Sequence, residues 1–317
     1  MKLRKVVSVF ILGLSLTALL CEGAMAAKVF EKVGTYGAQF LKIGPSARAT
    51  AMGGAFTAVA DDGTAVYWNP AGIVSIRGNE LSLNQTMWPA DIKLSYASYV
   101  FNPRAIPGTF ALSARALWMD PQIERTAFKP EGTGRTFDSG MSTLGLTYSR
   151  YFTDKFSAGF TGNYMHSGLA ETSVNTFVLD VGILYRVGIR NMKIGMVIQN
   201  LGGEVNYDDR SARMPTTFKV GMSFNAIRTK RQRALLSAEF QHPADNAERA
   251  NFGLEYSMDE TFLLRGGYYL NYDAETFSAG AGFQVHTGEK SVAILDYSYV
   301  DMSSLGGVHR ITVAFRY

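Results

Sequence analysis

From about Asn79 to the C-terminus, apolar and polar residues alternate with a period of two. In residues 307–317, Ile311, Val313, Phe315 and Tyr317 fall on one face, and Arg310, Thr312, Ala314 and Arg316 on the other. A soluble sheet can use one such strand, but here the pattern recurs along the chain. It runs through Leu81 and Leu83; Ile92, Leu94 and Tyr96; Phe110, Leu112, Ala114 and Ala116; and Leu144, Leu146 and Tyr148. It continues through Phe156, Ala158, Phe160 and Tyr164, then Phe177 to Val187, Met192 to Ile198 and Phe218 to Phe224. Leu236 to Phe240, Phe252 to Tyr256, Phe262 to Leu270, Phe277 to Val285 and Ala293 to Tyr299 precede the last strand. Fourteen segments of this kind predict an all-β fold, a fourteen-stranded antiparallel transmembrane β-barrel over residues 79–317. An even count leaves both barrel ends on one side of the membrane.

Connection lengths support the same reading. Thr153-Asp154, Arg190-Asn191 and Asp259-Glu260 are brief links suited to periplasmic turns, whereas residues 120–139, 200–214 and 241–249 are longer and polar, as outer loops are. Residues 27–78 behave differently. Residues 45–60 open on Pro45 and space alanines as a helix would, predicting a short helix with one very small face. Gly53 and Gly54 weaken it by roughly 2 kcal/mol of propensity, so it needs a wall to lean on. Asp61-Asp62-Gly63 predicts a turn, and Asn69-Pro70 a capped first turn of another short helix. This segment is expected to be a plug inside the barrel.

The residues between the lipid-facing ones predict what the lumen contains: Lys93, Arg115, Asp180, Arg186, Lys193, Lys219, Glu239, Glu255, Arg265, Asp296, Arg310 and Arg316. An arginine or lysine facing lipid at the midplane costs roughly 2–4 kcal/mol, so the charges are assigned to the inner face. Eight of the twelve are basic, an excess suited either to structural ion pairs or to an anionic head group. Arg48, Asp61 and Asp62 of the plug are expected partners, and Met52, Gly53, Gly54, Asn69 and Pro70 complete the plug set. Trp88 and Trp118 are expected at strand ends in the interfacial belt.

The first 26 residues carry Lys2, Arg4 and Lys5, an apolar core and Ala24-Met25-Ala26, the form of a secretory leader. The single cysteine, Cys21, lies within it, and Leu20 is too large for a lipidation site. Removal takes three basic residues and Glu22, reducing the formal charge of +4 by two. The expected location is therefore the outer membrane of a Gram-negative-type bacterium, in contact with its lipid. Basic residues are spread rather than clustered, which argues against nucleic acid. His166, His242, His286 and His309 lie far apart without a matching serine or carboxylate pair, so neither a metal centre nor a triad emerges and no enzyme activity or cofactor is expected.

Residues 44–72, with Arg48, Met52-Gly53-Gly54-Ala55 and Asn69-Pro70-Ala71, resemble the N-terminal signature of the PorV/PorQ family, within the FadL-like group of outer-membrane barrels. The resemblance covers essentially all of the chain beyond the leader. It implies either of two functions. FadL-like transporters bind small hydrophobic or amphipathic molecules in the barrel and release them after the N-terminal hatch rearranges. PorV proteins serve type IX secretion, handling exported proteins. The C-terminal strand, with Phe315 and Tyr317, resembles the segment that engages the outer-membrane assembly machinery.

Overall fold

A computed structural model describes residues 36–170, 172–207, 210–288 and 291–317; the leader lies outside the described residues. The period-two segments form β1 (Glu80–Met87), β2 (Lys93–Phe101), β3 (Thr109–Trp118), β4 (Ser139–Tyr151), β5 (Phe156–Leu169), β6 (Thr172–Arg186) and β7 (Lys193–Gly202). They continue as β8 (Thr217–Arg228), β9 (Gln232–Pro243), β10 (Arg249–Met258), β11 (Phe262–Leu270), β12 (Phe277–His286), β13 (Val292–Asp301) and β14 (Gly307–Arg316). Each pairs antiparallel with its neighbour, and β1 pairs with β14 from Glu80↔Arg316 to Met87↔His309, closing a barrel of the fourteen strands expected. Closure leaves no unpaired edge, a requirement for backbone in lipid.

The brief links at 153–154, 190–191 and 259–260 lie at one end, here called inner. Arg190-Asn191 and Asp259-Glu260 hold consecutive positive φ values (49° and 55°; 52° and 55°), the geometry of a two-residue hairpin turn whose twist matches its strands. The outer end carries residues 119–138, with a small hairpin of Gln122–Ile123 and Thr136–Phe137, and residues 203–216.

The wall has two faces. Leu83, Leu112, Leu144, Phe177, Leu264 and Val313 project outward, whereas Ser82, Thr147, Asn251 and Glu255 from the alternate positions are buried inside. Near the inner end, Tyr99, Phe101, Phe110, Tyr148 and Phe160 form a chain of ring contacts at 4.9–6.0 Å across four strands, β2 to β5. Phe277, Tyr299, His309 and Tyr297 do the same near the outer end. His309 thus sits in an interfacial belt, with its Nδ1 2.7 Å from the Tyr297 hydroxyl.

Strand β2 departs from expectation. Leu94, Tyr96, Ser98 and Val100 are its buried, inward residues, so Ile92, Leu94 and Tyr96 do not face lipid and Lys93 does not line the lumen. Leu94 and Ile92 pack in a cluster with Phe40 and Leu41 of the N-terminal segment. The lumen is apolar at that point because the plug presents apolar side chains there. Lys93 instead stands at the outer strand end, its ammonium 4.7 Å from the Trp118 ring centroid, where a long cation reaches water. Trp88 is a second correction: it turns inward onto Val300, Met302 and Val308 instead of joining the belt.

Residues 36–78 occupy the lumen. The described segment starts at the outer end, where Tyr36 bridges to Arg213, and makes a 3₁₀ turn at Gln39–Lys42. It descends through α1 (Ala47–Ala51), α2 (Ala65–Trp68) and a 3₁₀ turn at Pro70–Ser75, and leaves at the inner end, where Asn79 and Tyr317 exchange backbone hydrogen bonds. Only five residues of the helix expected over 45–60 form, because Gly53 and Gly54 take left-handed φ values of 64° and 71°. Ser46 caps α1, its Oγ accepting from Ala49 N at 3.2 Å. The Asn69 side chain accepts from Ala71 N at 3.1 Å ahead of Pro70.

Alanines on α1 let it lie against β11–β14, while the Pro70–Ser75 turn lies against β3–β6. Inward glycines of the wall make room: a Cβ on Gly267 would stand 1.9 Å from Gly53 N, and one on Gly159 2.7 Å from the Pro70 carbonyl. Met52, Phe56, Val59, Val66, Trp68 and Ile73 form the core between plug and wall.

Candidate functional site

The plug is held by charge as well as contact. Arg48, on the second residue of α1, donates to Asp61 at 2.7 Å, to Asp62 at 3.0 Å and to Glu255 on β10 at 2.8 Å. Glu255 also accepts from Arg265 at 2.9 Å and Arg233 at 2.6 Å, and Arg265 continues to Asp296 at 2.7 Å. A fully buried carboxylate is tolerable only with such partners. Burial disfavours charge on Arg48, but Glu255, Asp61 and Asp62 outweigh it and raise its pKa above the ordinary value. Burial likewise works against the Asp61 carboxylate, yet Arg48 and Lys193 hold it well below the usual range.

Other lumen charges meet the plug singly. Glu239 accepts from the backbone N–H of Phe56 at 3.0 Å and of Thr57 at 2.8 Å, satisfying donors that the broken helix leaves open. Lys193 reaches the Val59 carbonyl at 3.2 Å, and Arg316 pairs with Glu80 at 2.7 Å. Asn69 Nδ2 donates to Thr57 O at 2.8 Å and to Ile183 O at 3.1 Å, tying plug to wall. Asp180 accepts from Asn163 and from the Asn200 backbone, at a bulge where β6 and β7 shift register. Arg186 rests on Tyr151 near the inner mouth. Glu80 and Arg233 were absent from the expected lumen set, although both fall on the inward alternation of β1 and β9.

The plug divides the lumen into two chambers. The inner one, of about 710 Å³, is polar, with Arg48, Asp61, Glu80, Lys193, Arg233 and Arg316 among its walls. The outer one, of about 510 Å³, differs in kind: Phe40, Tyr67, Trp68, Trp88, Leu117, Met141, Tyr269, Tyr272 and Met302 surround it. Burial pushes the Tyr67 hydroxyl up to about 12, so the ring stays neutral.

Four cations stand among these rings. Arg115 lies 5.1 Å from the Phe40 centroid and 5.3 Å from that of Tyr67; Lys219 lies 5.3 Å from Trp68. Arg249 stacks 4.4 Å over Tyr272 and Arg310 5.6 Å over Trp88. Aromatic faces compensate part of the desolvation of such cations. They do not satisfy the donors: Nε and Nη1 of buried Arg310 and Nε of Arg249 have no hydrogen-bond partner among the described residues. The chamber therefore combines aromatic and aliphatic walls with convergent polar groups, the cations together with Asp273, Glu275 and several amides, the make-up of a small-molecule site.

A tether fixes its outer wall. Lys42 and Gln39 donate to Asp245 Oδ2 at 2.7 Å and 2.8 Å, joining the first plug turn to an outer loop. Burial alone would raise the Asp245 pKa, but these two donors outweigh it and lower it.

No protein-family model matches the chain, and no curated protein matches its sequence. Solved structures do. The toluene transporter TodX of Pseudomonas putida superposes with a TM-score of 0.59 at 12% identity, over 86% of this chain and 97% of that one. The toluene transporter TbuX of Ralstonia pickettii gives 0.54 at 14%, over 84% and 96%. The monoaromatic hydrocarbon channel CymD gives 0.57 at 11%, over 86% and 96%. At such identities the likeness is one of fold, a closed fourteen-stranded antiparallel barrel.

Proposed function

We propose that the protein is an outer-membrane channel that takes small hydrophobic or amphipathic molecules from the outer face into the outer chamber. The observation that carries this is the pairing of a chamber of about 510 Å³ lined by aromatic and aliphatic side chains with the open donors of Arg310. A cavity of this size lies in the range of small-molecule sites and has room to spare for a single aromatic ring. The neighbours of like fold, two toluene transporters and a monoaromatic hydrocarbon channel, support that substrate class. Arg310 favours members that also carry an anionic or acceptor oxygen, because burying an unpaired donor is costly and such a group removes the cost. Transfer onward requires the plug to shift, since it divides the two chambers and is held to the wall through Arg48 and Glu255.

The test is a titration of tryptophan emission in purified barrel with toluene and with benzoate. Saturable quenching by both is expected, and Arg310→Gln weakens benzoate roughly tenfold while sparing toluene. Quenching that rises linearly with ligand, as partition into detergent does, contradicts the proposal.

A second reading, a PorV/PorQ-like role in handling exported proteins with secretion-system partners, is favoured by one observation. Phe128, 96% exposed, stands near the tip of the long outer loop, where a soluble partner could cover it. Cross-linking from position 128 in native membranes checks this reading: a discrete protein adduct supports it, and none counts against it. Engagement of the assembly machinery through Phe315 and Tyr317 belongs to either reading.

A further inference from the structure

The lipid-facing wall of β1–β6 is indented. A groove of about 600 Å³ lies there, floored by Ala97, Ala114 and Gly162 and walled by Leu144, Tyr164 and Tyr99 among others. Small side chains recur at neighbouring outward positions of β2, β3 and β5, so the indentation is built into the sequence. Around it the outward residues are large and apolar.

The inner rim of the same arc carries charge on the bilayer side. On β4 the outward row Leu144, Leu146, Tyr148 continues to Arg150, one step beyond the inner aromatic belt. Arg150 is exposed, with its guanidinium 5.9 Å from the Phe152 ring centroid. Phe152 is exposed on this turn, and Arg104 and Ile106 are exposed on the preceding inner turn. Asp154 is the one acidic residue on those two turns. Large apolar side chains exposed beside cations at a membrane rim seat themselves at the boundary of head groups and acyl chains. A soluble partner is the weaker fit, because Arg150 points along the pleat toward lipid rather than toward the periplasm.

We propose that this wall holds one anionic phospholipid, with an acyl chain in the groove and its phosphate on Arg150, supported by Arg104. The site is separate from the lumen and independent of what the channel carries. Acyl chain and phosphate recognition are both needed: the groove selects a chain of any phospholipid, and the rim selects the negative head group.

The test uses folded protein in phosphatidylcholine vesicles containing trace spin-labelled phosphatidylglycerol or phosphatidylcholine with identical chains. The immobilised fraction is expected to be larger for phosphatidylglycerol, with the preference shrinking as salt is raised. Replacing Arg104 and Arg150 together by Gln should reduce the preference by roughly fivefold or more, while Arg150→Lys retains it. Gly162→Leu, whose side chain meets open space, should fill the groove and lower immobilisation of both lipids. Each variant is first shown to be folded by its heat-modifiable migration. Equal immobilisation of the two lipids by the unaltered protein, a preference that survives the double replacement, or no effect of Gly162→Leu would overturn the proposal.

Discussion

Glu255 shows how a single side chain controls the closure of the lumen. It is fully buried and faces three guanidinium groups, those of Arg48, Arg233 and Arg265. Glu255→Gln removes the charge these three guanidinium groups share, leaving Arg233 unpaired and Arg48 and Arg265 with only Asp61, Asp62 and Asp296 as partners, with an expected cost of roughly 3–5 kcal/mol. Urea unfolding followed by gel mobility measures it; a change within error of the parent contradicts the ion-pair account. Asp245 sets a pH dependence. Its folded pKa is lowered, so the Lys42 and Gln39 tether contributes fully above the unfolded value near pH 4 and is lost as pH falls through the lowered one. Proteolysis of the outer end of the plug should therefore be flat from pH 8 to 5 and should rise only at more acid pH. Asp245→Asn should show the raised susceptibility at all these values.

Elements are legible in the sequence to the extent that one environment dictates their pattern. Lipid imposes apolar side chains on every second position, and thirteen of the fourteen strands follow the expected facing. In β2 the plug offers Phe40 and Leu41 to the lumen side, so Leu94 and Tyr96 turn inward, and the alternation of β2 alone does not say which face is which. Trp88 is misread for the same reason: apolar surface exists on both sides of the wall. The contact between Lys42 and Asp245 joins positions 203 residues apart and leaves no periodic trace. Gly53 and Gly54 did announce a weak helix, and the structure ends it at Ala51.

Two element-scale changes test the seating of plug and wall. Gly267→Ala places a Cβ 1.9 Å from Gly53 N, so the plug must move; destabilisation of roughly 1–3 kcal/mol and higher conductance in planar bilayers are expected. Deleting residues 315–317 removes the Tyr317 pairing with Asn79, the Leu81↔Phe315 step of closure and the ring contact between Phe315 and Tyr317. An edge left open in lipid is not viable, so no heat-modifiable protein should reach the membrane.

At the scale of the molecule, the barrel is one wall with three different surfaces: lipid outside, a polar chamber toward the inner end and an aromatic chamber toward the outer end. The plug creates this difference, since its charged residues Arg48, Asp61 and Asp62 face the inner chamber while Phe40, Tyr67 and Trp68 face the outer one. The inward charges could be read from alternation. Their division into a neutralised knot around Glu255 and a set of ring-stacked cations could not, because it depends on which strands the plug meets. The most direct measurement is a crystal structure of the barrel soaked with 4-bromobenzoate, with the bromine located by its anomalous signal. The account predicts one strong peak in the outer chamber among Trp88, Leu117 and Tyr269, with the carboxylate on Arg310. Bromine found only on the lipid face or in the inner chamber would contradict it.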